Sequence, residues 1–157
     1  MRTSREPMLR AFPHVEIVRP KATQPVRGLI LVDDPEIFHT HKYEGRTVPC
    51  DGPLLCWFCG KLPEVQRIYL PLYRKANEFQ FLDLPVTKWE ELLGFQERYD
   101  SLLGLDLTAR RKRPADNAAI VLHADCKWRT EHNPIKPFPK FHAHLDYILV
   151  SNANFAR

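Results

Sequence analysis

The 157-residue sequence predicts a mainly β domain of five strands, with one helix between the third and fourth. Three observations lead there. Short apolar runs with a period of two recur between Gly, Pro, Asn and Asp turn signals, which is the pattern of half-buried strands. A single stretch has helical spacing with its own start and stop signals. Three of the four cysteines fall within residues 39–60, between the first two of these strands, as a long excursion from the β pattern.

Residues 1–25 hold Pro7, Pro13, Pro20 and Pro25 among scattered charges, which suits an extended arm with a short strand at 15–18. The first strand proper is VRGLILVDD, from Val26, closed by an Asp-Asp-Pro turn. The second, 65–75, places Ile68, Leu70 and Leu72 on one side and Tyr69 and Tyr73 on the other, and its Pro71 predicts an edge position or a bulge. Ala76-Asn77-Glu78 reads as a turn into the third strand, where Phe79 and Phe81 share a face.

The helix covers TKWEELLGFQERYDSLLG. Thr87 and Glu90 have the spacing of a capping box, Trp89, Leu92, Leu93, Gln96 and Tyr99 recur at helical intervals, and Gly104 is the stop. Leu103, Leu105 and Leu107 alternate in the fourth strand, and Ile120 and Leu122 in the fifth, with the charged turn RRKRPADN between them. The expected organisation is therefore a Pro-rich arm (1–25), a β domain (26–126) with its metal loop at 39–60, and a basic, Pro- and aromatic-rich extension (127–157).

A 44% hydrophobic content gives one domain enough material for a core. No run of 18 apolar residues occurs, and the first residues lack a signal-type apolar stretch, so the expectation is a cytoplasmic protein with no membrane partner. In such a compartment closely spaced cysteines point to a metal or a reactive thiol more than to a disulfide framework.

Cys56-Trp57-Phe58-Cys59-Gly60 has the form of a zinc knuckle. With Cys50 and His41 it makes His-x8-Cys-x5-Cys-x2-Cys, a one-histidine, three-cysteine ligand set for Zn2+. His39 is the rival fourth ligand, because on a strand it would share a face with His41. A closed tetrad has no position for substrate, so the ion would stabilise the fold and activate nothing. The CWFC spacing also occurs in thioredoxin-like redox motifs, but those open a helix after a strand, and here Leu62-Pro63 and a strand follow. The block from His41 to Gly60 resembles a segment of uncharacterised bacterial and mobile-element proteins, a likeness to which no activity attaches.

Five strands with a helix between the third and fourth resemble the OB-fold, over residues 26–125. That resemblance implies a partly open barrel that grips oligonucleotides with strands 2 and 3 and with the loops joining strands 1 to 2 and 4 to 5. Here those loops are the metal block and RRKRPADN. The expected interface for single-stranded DNA or RNA is then Tyr69 and Tyr73 as stacking rings, Arg67, Arg74 and Lys75 beside them, Arg46 and Trp57 on the metal loop, and the cluster Arg110, Arg111, Lys112 and Arg113. The reading assigns no catalytic residue.

Two other classes compete. A zinc-stabilised adaptor would use the Pro-rich arms to bind a protein partner. The triplet His142-Ala143-His144, placed on a strand, resembles the metal-binding triplet of single-strand nicking nucleases, which implies a metal-dependent enzyme with Tyr99 or Tyr147 as nucleophile. The plainer expectation for those histidines is two exposed side chains on an edge strand.

Overall fold

The computed structural model describes residues 15–75, 78–131 and 136–156. The strands are β1 (Glu16–Val18), β2 (Val26–Ile30), β3 (Ile37–Tyr43), β4 (Arg46–Pro49), β5 (Val65–Lys75), β6 (Glu78–Pro85), β7 (Asp106–Arg111) and β8 (Ile120–Asp125). The helices are α1 (Trp89–Tyr99), α2 (Lys127–Glu131) and α3 (Phe141–Ala156). The chain is mainly β, and its strands form one open eight-stranded sheet in the order β1-β6-β5-β2-β7-β8, with the β3–β4 hairpin attached to β5. Among the described residues no helix is long and apolar enough to cross a membrane.

The sheet departs from the expected five strands in two ways. β1 adds to β6 in parallel, and the excursion between β2 and β5 is not all loop, since β3 and β4 form an antiparallel hairpin inside it. The hairpin turns at Glu44 and Gly45, with φ of 46° and 78° between the paired Tyr43 and Arg46. Both central residues thus have the positive φ of a two-residue type I′ turn, and glycine takes that conformation without strain.

Pro71 sits in a central strand, not at an edge. One side of β5 pairs with β6 along its length, while the other pairs with β3 at residues 65–68 and with β2 at residues 72–73. Pro71 lies where the second side passes from one partner to the other, and its carbonyl accepts from the Leu31 N–H at 2.9 Å. The N–H that proline lacks points to that same side, at the seam, so no ladder bond is lost.

One face of the sheet buries Ile30, Ile68, Leu70, Leu72, Leu82, Leu84 and Leu107 with Leu92 of α1. α1 follows a 3-10 turn, Val86–Lys88, and neither start carries a side-chain cap, so the Thr87–Glu90 box does not form. α1 ends at Asp100 in the left-handed conformation, earlier than the expected Gly104. Arg129 of α2 donates to the carbonyls of Tyr99, Ser101 and Leu103, supplying partners to the end of that helix.

The other face is covered by α3, where a strand was expected. Phe141, Leu145 and Leu149 recur every four residues and are buried with Tyr69, Phe81 and Phe138. Each such burial contributes about 1.5–3 kcal/mol, which favours the helix over an edge strand with half its residues in water. The helix separates the two histidines. His144 is buried against Phe81, whereas His142 is 64% exposed and paired with Glu36. They share no face, so the metal triplet of the nicking-enzyme reading is not formed.

Candidate metal centre and basic clefts

The β3–β4 hairpin and the loop after it bring four ligands to one point. The donor atoms of His41, Cys50, Cys56 and Cys59 all lie within 4.8 Å of one another, close enough to hold a metal ion. Cys50 Sγ is 3.4 Å from Cys59 Sγ, which is 3.5 Å from His41 Nε2. A disulfide needs about 2.05 Å. A tetrahedral ion with bonds of about 2.3 Å to sulfur and 2.0 Å to nitrogen would put its ligands about 3.5–3.8 Å apart, which these two distances approach.

Each ligand is placed by local chemistry. β3 carries His41, the Cys50 N–H donates to the His39 carbonyl at 3.0 Å and so extends the hairpin by one residue, and Gly52 turns the chain with a φ of 94°. The Cys56 N–H donates to the Gly52 carbonyl, closing the loop before the knuckle. Val48 and Phe58 are buried as a small separate core, with Tyr43, Cys56 and Leu62 against it. This satellite core gives a long connection something to fold around.

The choice between the histidines follows from their second nitrogens. His41 is 1% exposed, and its Nδ1 lies 3.0 Å from the Pro63 carbonyl. A carbonyl only accepts, so Nδ1 carries the proton and Nε2 turns its lone pair to the cysteines. His39 is exposed and bound to Glu64 outside the cluster.

The surroundings pull the thiols in opposite directions. At Cys56, burial opposes ionisation, but the backbone amides of Asp51, Phe58 and Cys59 outweigh it and bring the thiol down to about 7. At Cys59 the neighbouring Cys50 thiol, burial and Cys56 push ionisation up to about 12. Three sulfurs this close cannot all carry charge unless an ion compensates them.

The residues expected to touch nucleic acid are distributed unevenly. Tyr69 is 1% exposed, with Phe38 edge-on at 5.6 Å, because α3 covers its face. It offers no ring to a base. Tyr73 is half-buried against Phe79, and Arg67 is turned inward to Asp83 at 2.6 Å. The side chain of Lys75 lies outside the described residues. On the metal loop Arg46 is exposed, and Trp57 is 48% exposed with Lys61 Nζ 3.4 Å above its ring.

In the basic cluster Arg110, Lys112 and Arg113 are exposed, but Arg111 has a structural task. Its guanidinium donates to the carbonyls of Pro20 and Ala118, at 3.1 and 2.9 Å, tying the β7–β8 hairpin to the chain after β1. Beside this tie lies a cleft of about 350 Å³ lined by Arg67, Lys88, Arg111, Thr87, Asp116 and Asn117. A larger cleft, about 640 Å³, holds Arg19, Lys21, Gln24, Arg74 and Gln80. Sequence reasoning missed Arg19, Lys21 and Lys88, because only the folded sheet brings β1 and the chain after it beside β5 and β6, and the turn before α1 beside β7. No family model, curated protein or solved structure matches this chain.

Proposed function

We propose that this chain is a zinc-stabilised, OB-like domain that binds single-stranded nucleic acid in the cytoplasm and has no chemistry of its own. The observation that carries the reading is the convergence of cations from separate elements. Arg67 from β5, Lys88 before α1 and Arg111 from β7 line one cleft, and Arg110, Lys112 and Arg113 stand exposed on the adjoining hairpin. Phosphate groups in such a place release counterions and gain several charge-assisted bonds. The order β6-β5-β2-β7-β8, with α1 between β6 and β7 in the chain, fits an OB-like sheet left open between its third and fifth strands.

Zinc is the metal that suits a closed site of three sulfurs and one nitrogen. Four cysteines without a disulfide fit a reducing compartment. With Tyr69 covered, contact with bases falls to Trp57, so affinity rests mainly on charge and carries little sequence preference. Fluorescence anisotropy of a labelled single-stranded oligonucleotide, at two salt concentrations and with zinc content assayed, tests the reading. Binding that weakens with salt, and weakens again when Arg110, Lys112 and Arg113 become Ala with Arg111 kept, is the expected result. No binding at low salt would end it.

A protein-binding adaptor is the second reading. Leu54 and Leu55 are 96% and 83% exposed beside Trp57 on the metal loop, an apolar tip that water alone does not favour. In the Pro-rich arms Pro7, Pro13 and Pro134 lie outside the described residues.

A further inference from the structure

Asp83 is 1% exposed and shared by two arginines, accepting from Arg19 Nε at 2.9 Å and from Arg67 Nε at 2.6 Å. One carboxylate against two guanidinium groups leaves a net positive charge, and each arginine keeps terminal N–H donors beyond the Nε it gives to Asp83. The pair belongs to two different clefts. Arg67 lines the smaller one with Lys88 and Arg111, while Arg19 lines the larger one with Lys21 and Arg74. The Arg111 bond to Pro20, next in the chain to Arg19, runs between them.

We infer that the larger cleft is a second phosphate-binding stretch, and that a single strand runs through both clefts across the open side of the sheet. This rests on the nucleic-acid reading above and names its path. Among the described residues no carboxylate lines the larger cleft, and Arg19, Lys21 and Arg74 are all exposed there. Gln24 and Gln80 add neutral donors able to bond a phosphate or a base edge. Part of the face that strands 2 and 3 would offer in an OB-fold, around Tyr69 and Phe81, is closed by Phe141, Leu145 and Leu149 of α3. A strand bound to this protein therefore crosses the sheet elsewhere, and the Asp83 arginines link the two basic surfaces into one track.

The test neutralises Lys21 and Arg74, leaving Arg19 in its ion pair. The double variant Lys21→Gln/Arg74→Gln is compared with the charge-matched control Arg98→Gln/Lys136→Gln, both checked for folding by circular dichroism, against labelled single-stranded DNA and RNA over a salt series. The track predicts about tenfold weaker binding by the first variant, and a log affinity versus log salt slope shallower by about 1.4, at about 0.7 per lost phosphate contact. The control should stay within twofold of the parent. If the parent binds and both variants behave alike, the larger cleft is not on the path and this inference falls while the nucleic-acid reading stands. If the parent does not bind, both fall together. Full displacement of the oligonucleotide by inorganic phosphate, beyond what chloride of equal ionic strength displaces, would mean a lone phosphate pocket and overturn the track.

Discussion

The imidazole of His41 is held through Nδ1, 3.0 Å from the carbonyl oxygen of Pro63, on the chain that enters β5. The bond fixes the tautomer and joins the metal cluster to the sheet. Because the core around Val48 and Phe58 is separate from the cores on the two faces of the sheet, the metal should stabilise this module first. Chelation is expected to remove amide hydrogen-exchange protection from residues 41–62 while β2, β6 and β7 stay protected. His41→Ala should lower zinc affinity by about 100-fold or more. Equal affinity in His41→Ala, with loss in His39→Ala, would exchange the two ligands.

Asp83 is a buried carboxylate held by two arginines. Replacing it by Ala leaves Arg67, whose side chain is 16% exposed, without its carboxylate, and breaking such a pair costs about 3–5 kcal/mol. Asp83→Asn keeps an acceptor and should lose less. Urea unfolding of the two variants checks the order, and equal losses would mean that the charge of Asp83 is unimportant.

The strands were legible because their periods are clean. Val65 to Lys75 alternates without interruption, and its bounds follow from the sequence alone. The His/Cys tetrad was legible from spacing, since cysteines with two and five residues between them have few other uses. The C-terminal helix was hidden by a coincidence, in which Phe141, Ala143, Leu145 and Tyr147 alternate as a strand would while Phe141, Leu145, Ile148 and Leu149 also form a helical stripe. Only a waiting apolar face on β5 and β6 decides between them. The buried state of Tyr69 follows from that missed helix. The Arg19–Asp83–Arg67 arrangement spans 64 residues of sequence, a separation across which no local spacing rule reaches.

Gly28 lies in β2 where the backbone of β5 comes close. A Cβ there would stand 2.8 Å from the Tyr73 carbonyl oxygen and 2.9 Å from Leu72 Cβ. The carbonyl is main chain in a paired strand and cannot rotate away. Gly28→Ala should therefore destabilise by about 1–3 kcal/mol, despite the usual gain from replacing glycine in a strand. A melting temperature at or above that of the parent would show that β2 and β5 can separate at this point.

Tyr69 gives the fold a dependence on alkaline pH. Burial raises its phenol above the ordinary value of 10, the Asp83 carboxylate adds to that, and Arg67, Thr47 and Arg19 oppose it without cancelling it. The folded chain thus holds this proton more tightly than the unfolded chain does. The corresponding stabilisation is complete below pH 10 and is lost as pH rises beyond it, by up to about 1.4 kcal/mol per unit. Tyr69→Phe keeps the ring against Phe38 and removes the titration, so its melting temperature should fall less steeply above pH 10 than that of the parent. Parallel curves would mean that the hydroxyl ionises in water, and with it that α3 does not seal this face of the sheet.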